Sequence, residues 1–162
     1  MFAPALLEAA RRLLDDARAK SLRIVTAESC TGVLIAGLLT EIPGSSDVVE
    51  RGFVTYSNQA KEDLVGVPTD LIDRHGAVSA EVCRAMAEGA LKNSLAQLAV
   101  AVTGIAGPSG GTAEKPVGLV YLAVIKQGEE AHIKELRLGN LGRGAIRLET
   151  VAEALKLLTN LI

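Results

Sequence analysis

The chain has 162 residues, 49% of them hydrophobic but only 2% aromatic, with no Trp and a formal net charge of −2. Such a length carries one domain, residues 1–162, whose core must be built from Ala, Val, Leu and Ile. The mild acidity and scarce rings argue against a nucleic-acid partner, which needs a basic face and stacking aromatics.

Leu6, Leu7, Ala10, Leu13, Leu14 and Ala17 recur at helical spacing, so the chain opens on a helix ending near Lys20. Charges interrupt this helix throughout, unlike a signal peptide, and no run of about 18 uncharged apolar residues follows anywhere. A cytoplasmic protein without a membrane partner is therefore expected. Leu22–Ala27 reads as a strand. "GVLIAGLLTEI", from Gly32, reads as a deeply packed helix stopped by Pro43 and Gly44. Val48–Ser57 alternates as a strand, and "QAKEDLVGV" is a short helix closed by Gly66 and Pro68. Ser79 caps a helix over "AEVCRAMAEGALKNSL", and Leu98–Thr103 is a buried strand. Gly104–Gly118 holds five of the sixteen glycines and is a long constrained loop, the kind that tends to carry function. Leu119–Lys126 and Glu130–Leu138 form a hairpin turning at Gln127-Gly128-Glu129, and a last helix runs from Arg143 to Leu161. This order predicts an α/β fold, a three-layer α/β/α sandwich with a mixed sheet. Ligands in such sheets sit beyond strand ends, which selects the loops at Ser29, after Tyr56 and after Thr103.

Between the first strand and its helix, Glu28-Ser29-Cys30-Thr31 offers a carboxylate, two hydroxyls and a thiol. Ser29 at a helix start is commonly a cap, but amides there could also stabilise an oxyanion formed by a serine nucleophile. The segment is not a G-x-S-x-G elbow, since Ala27 and Thr31 occupy the outer positions. Cys30 is a competing nucleophile that its place in the turn directs toward the core. The base could be His75 or His132, the first in a turn-like segment and the second in a charged strand, or Lys61. Lys61 follows a strand end on the first turn of a helix, where the charged form is disfavoured; such a lysine is otherwise an ordinary surface cation. The Gly-rich loop lacks both the G-K-[ST] tail of a P-loop and G-x-G-x-x-G. Arg143 and Arg147 lie one turn apart and could hold an anion. Neither the two cysteines nor the two histidines show metal-motif spacing, so no metal and no cofactor is expected.

Taken together, "TAESCTGVLIAGLLTEIPGSSDVVERGFVTYSNQAKEDLVGV", "HGAVSAEV", "AMAEGA" and "AVTGIAGPSGGTAEKPVGLVYLAV" resemble the C-terminal domain of the competence/damage-inducible protein CinA. That domain also occurs alone as nicotinamide-nucleotide amidase, and a chain of this length resembles the stand-alone form. The resemblance implies hydrolysis of the carboxamide of nicotinamide mononucleotide to nicotinic acid mononucleotide and ammonia. It makes Ser29 the nucleophile and Lys61 the base, with Tyr56 orienting Lys61 or the leaving ammonia. Cys30, Thr31 and Gly32 would contact substrate, the last two through backbone donors. Thr103, Gly104 and Gly107 would shape the opposite wall, and Arg143 would meet the phosphate or ribose of this small-molecule nucleotide substrate. Three departures stand out: Val33 where the family motif has a second glycine, Gln97 where an acidic residue is common, and "GNLGRGAIR" where the family commonly has G-D-R-E. Val33 could crowd the helix start or narrow the pocket. It favours the alternative of a catalytically weak nucleotide-binding module; an amidase for another small carboxamide is a second alternative. The Leu- and Ile-rich last helix suggests an exposed apolar surface and hence a homo-oligomer.

Overall fold

In the computed structural model, which describes residues 2–162, five strands form one sheet. They are β1 (Ile24–Glu28), β2 (Val49–Val54), β3 (Leu98–Gly104), β4 (Leu119–Lys126) and β5 (His132–Arg137), in the order β2-β1-β3-β4-β5. β1 runs parallel to both β2 and β3, whereas β4 and β5 are antiparallel additions. The sheet is mixed, as its sequence implied.

Alternation along the strands sorts the two faces. Ile24, Leu98, Val100, Val102, Leu122 and Val124 face α1 (Pro4–Ala19), α2 (Leu34–Thr40) and α6 (Arg143–Leu161). The other face is built of smaller residues, Val25, Ala27, Ala99, Ala101 and Ala123. Small side chains let α5 (Ala80–Lys92) lie close to the sheet, flanked by α3 (Asn58–Val65) and α4 (Thr69–His75). α5 and α3 approach so closely that a Cβ at Gly89 would lie 1.7 Å from the Val65 carbonyl oxygen.

Two local differences from the sequence reading have physical causes. α2 starts at Leu34, not Gly32, because Gly32 sits at φ +75° in a turn that a helix cannot contain. α4 has no counterpart in the sequence reading, which takes only the stretch around His75 as turn-like; its seven residues carry one buried apolar side chain, Ile72, and so give little periodic signal. Most of the apolar face of α6 packs inside the chain: Ile146, Val151, Ala154, Leu155 and Leu158 are buried in its own core, whereas Leu148 is exposed.

Candidate active site

The chain leaves β1 toward one neighbour, through α2 to β2, and leaves β3 toward the other, to β4. The crevice between the carboxyl ends of β1 and β3 is therefore a topological switch point, where open α/β sheets bind ligands. Ser29 and Thr103 stand there. Ser29 is fixed by its amide, which donates to the Val102 carbonyl at 3.1 Å and prolongs the β1–β3 pairing by one residue.

Lys61 comes to Ser29 from α3. The Ser57 hydroxyl caps this helix by accepting from the Ala60 amide at 3.0 Å, which places Lys61 in the first turn, as expected. Its side chain runs inward and is only 1% exposed. Nζ lies 3.2 Å from Ser29 Oγ and donates to the Thr55 carbonyl at 2.8 Å. Both partners are uncharged, and burial holds the Lys61 pKa below its ordinary value. The loop between β2 and α3 is tied to β1 as well, since the Thr55 amide donates to the Glu28 carbonyl at 2.9 Å. One residue thus links the strand that carries the hydroxyl to the helix that carries the amine.

Glu28 is the residue that sequence reasoning left without a role. It is buried at the end of β1, and its carboxylate accepts from Thr31 Oγ1 (2.7 Å), the Ile35 amide (3.0 Å) and the Ala36 amide (2.8 Å). It caps α2 from seven residues upstream, so Ser29 is released from capping. The question posed by Glu-Ser-Cys-Thr has a divided answer: the carboxylate caps, and the hydroxyl faces the cleft. The spacing Glu-x₆-Ile-Ala carries no known cap signature, which is why it was not legible.

The cleft has a volume of about 250 Å³ and is lined by Ser29, Cys30, Tyr56, Lys61, Thr103, Gly104 and Arg143, among others. Ala77 and Val78, in the loop before α5, complete its wall, and the Ala77 carbonyl accepts from Thr103 Oγ1 at 2.8 Å. The "HGAVS" segment held that signal. A larger hollow of about 640 Å³ between α3, α4 and α5 contains no nucleophile, so size alone does not locate the chemistry.

Several expected contacts are placed otherwise. Tyr56 is 58% exposed, and its hydroxyl accepts from Arg143 Nη2 at 2.9 Å, not from Lys61. Arg143 also donates to the Gly107 carbonyl at 3.0 Å, so Gly107 acts on the cleft through Arg143 and does not line it. Thr31 turns its hydroxyl to Glu28, away from the cleft. The Gly32 amide is consumed by the Ser29 carbonyl at 2.9 Å, which rules it out as an oxyanion donor. The Ile35 and Ala36 amides of α2 are occupied by Glu28, and the Leu34 amide by the Thr31 carbonyl at 3.3 Å. The Cys30 and Thr31 amides donate to no carbonyl among the described residues, and these are the donors left beside Ser29. The Cys30 thiol is buried in the core, where desolvation pushes its pKa up to about 12, so it is no competitor as nucleophile. Val33 is 53% exposed at φ −142°, which any residue adopts, and is not part of the cleft wall. Gln97 sits at the opposite end of the sheet, accepting from the Arg23 amide at 2.9 Å. His75 and His132 do not line the cleft either. Among the described residues no group of three or more His, Cys, Asp or Glu is placed to hold a metal ion.

Fold and site define a class: an α/β domain with a buried Ser–Lys pair at the switch point of its sheet. The chain belongs to the CinA family: the model of the CinA C-terminal domain matches residues 7–162. It is 51% identical over 130 residues to a CinA-like protein of Akkermansia muciniphila, covering 80% of this chain and 31% of that protein. It spans 26% to 34% of the lengths of the curated relatives it matches. Among solved structures, the competence/damage inducible protein CihA from Agrobacterium tumefaciens superposes with a TM-score of 0.98 at 54% identity, covering 99% of this chain and 98% of that one. The CinA superfamily protein ECK1530/EC0983 from Escherichia coli superposes with a TM-score of 0.92 at 30% identity, covering 100% and 94%. No helix among the described residues is long and apolar enough to cross a membrane.

Proposed function

We propose that this domain is an amidohydrolase that converts nicotinamide mononucleotide to nicotinic acid mononucleotide and ammonia, with Ser29 as nucleophile and Lys61 as base. The observation that carries it is the buried amine 3.2 Å from a serine hydroxyl, held by uncharged partners only. Neutral Lys61 donates one proton to the Thr55 carbonyl, which leaves its lone pair for the Ser29 hydroxyl proton. Ser29 attacks the amide carbon, and the developing oxyanion meets the free amides of the turn. The ammonium of Lys61 protonates the departing amine, and water repeats the sequence on the acyl-enzyme. Tyr56 does not reach the lysine; it holds Arg143 at the cleft mouth. Arg143 is held by two neutral oxygens, so its charge remains available to a phosphate. Thr103 and Gly104 form the wall facing Ser29.

The weak-module alternative rested on Val33, whose side chain is exposed outside the cleft wall, so that observation no longer favours it. The test is ammonia release from nicotinamide mononucleotide by the parent chain, Ser29→Ala and Lys61→Ala. The parent is expected to turn over, with both variants slower by roughly 10³-fold or more. Parental activity should rise with pH through the depressed Lys61 pKa, because the base must be neutral. A silent parent, or variants that keep its rate, would sink this reading.

A further inference from the structure

Arg147 lies one turn beyond Arg143 on α6, yet it does not line the cleft. It is turned inward onto the Ser29 turn. Nε donates to the Cys30 carbonyl at 3.1 Å and Nη2 to the Thr31 carbonyl at 2.8 Å. Its guanidinium packs against Gly32, where a Cβ would lie 3.2 Å from Nη2. No ligand-like role explains a cation spent on two backbone carbonyls behind the nucleophile.

The bonds of this turn run in series. In a trans peptide the C=O and N–H point to opposite sides. The peptide whose Thr31 carbonyl meets Arg147 carries the Gly32 N–H, which donates to the Ser29 carbonyl at 2.9 Å. The peptide of that Ser29 carbonyl carries the Cys30 N–H on its far side. This amide donates to no carbonyl among the described residues, and Cys30 lines the cleft beside Ser29. Hydrogen bonds in series polarise one another, so the guanidinium charge makes the Cys30 N–H a stronger donor. The Nε bond to the Cys30 carbonyl acts in the same way, and more directly, on the free Thr31 N–H.

Resting on the Ser29 amidohydrolase reading, we propose that Arg147 is a positioning residue that orients and polarises the oxyanion hole from behind the Ser29 turn, without touching substrate.

The experiment is the rate at which a fluorophosphonate labels Ser29 in the full chain, read by mass spectrometry beside the melting temperature. This probe builds the same negative oxygen and needs no amide substrate. The parent is expected to label, and Arg147→Ala to label roughly tenfold more slowly or worse. Added guanidinium should restore part of that rate, which a loss of packing would not allow. In ammonia release kcat should fall with KM unchanged. If Arg147→Ala does not fold, Arg147→Lys decides: it keeps the charge but cannot span both carbonyls, so severalfold slower labelling is expected. Labelling of the folded variant at the parental rate overturns the role of Arg147. So does a loss that added guanidinium leaves unchanged. A parent that does not label at Ser29 removes the underlying nucleophile reading, and the proposal with it.

Discussion

Lys61 places an amine where its charged form is costly. Burial lowers its folded pKa, so between that value and the unfolded one of about 10.4 the unfolded chain binds more protons. Stability therefore rises with pH across that window, and below the folded pKa the desolvation cost is carried in full. Lys61→Met is expected to be about 1 kcal/mol more stable than the parent near neutral pH, with the gap shrinking toward pH ~10. Urea midpoints at both ends of that range measure it; a gap that widens with pH contradicts the buried-amine account. Val33 gives the opposite kind of test. Its side chain is exposed and does not line the cleft, so Val33→Gly should change kcat/KM less than about twofold. A larger gain would show that the position controls the site after all.

At the scale of elements, the reactive turn is built by a division of labour across β1 and α2. Glu28 satisfies two orphan amides of α2 and the Thr31 hydroxyl. A carboxylate at a helix start is favoured by the macrodipole as well as by its hydrogen bonds. Glu28→Gln keeps the shape but turns one acceptor into a donor facing an amide. It should cost about 1–3 kcal/mol in denaturant stability. It should also slow ammonia release, because the turn that follows loses its anchor. Parental stability in that variant would mean the cap is dispensable.

At the scale of the whole molecule, the site is closed by the last helix of the chain. Arg143 joins Tyr56 across 87 positions of sequence and Gly107 across 36. Arg143→Gln should raise KM for nicotinamide mononucleotide roughly tenfold, the worth of one charge-assisted contact, and should leave KM for the phosphate-free riboside nearly unchanged. Equal losses on both substrates would place its role in loop positioning, not in meeting the phosphate.

Much of this was legible in the chain order. Alternating apolar patterns specified the strands, the cap at Ser79 and the stop at Gly66 and Pro68 marked two helices, and the run of elements specified a mixed α/β sheet. These follow from local periodicity, which any short window contains. Ser29 and Lys61 were legible as candidates because both stand at strand ends. Their partnership was legible only through the family resemblance, because a lysine beside a strand end is by itself a surface cation. Only the tertiary structure decided that Lys61 turns inward to 3.2 Å from Ser29 Oγ, that Glu28 caps α2, and that Gly32 spends its amide on Ser29. It also decided that Val33 faces solvent and that Arg147 grips the turn from behind. The reason is physical: Lys61 and Arg147 are directed by residues 32 and 117 positions away, and even the short-range bonds of Glu28 and Gly32 follow from an irregular turn, which no periodic pattern encodes.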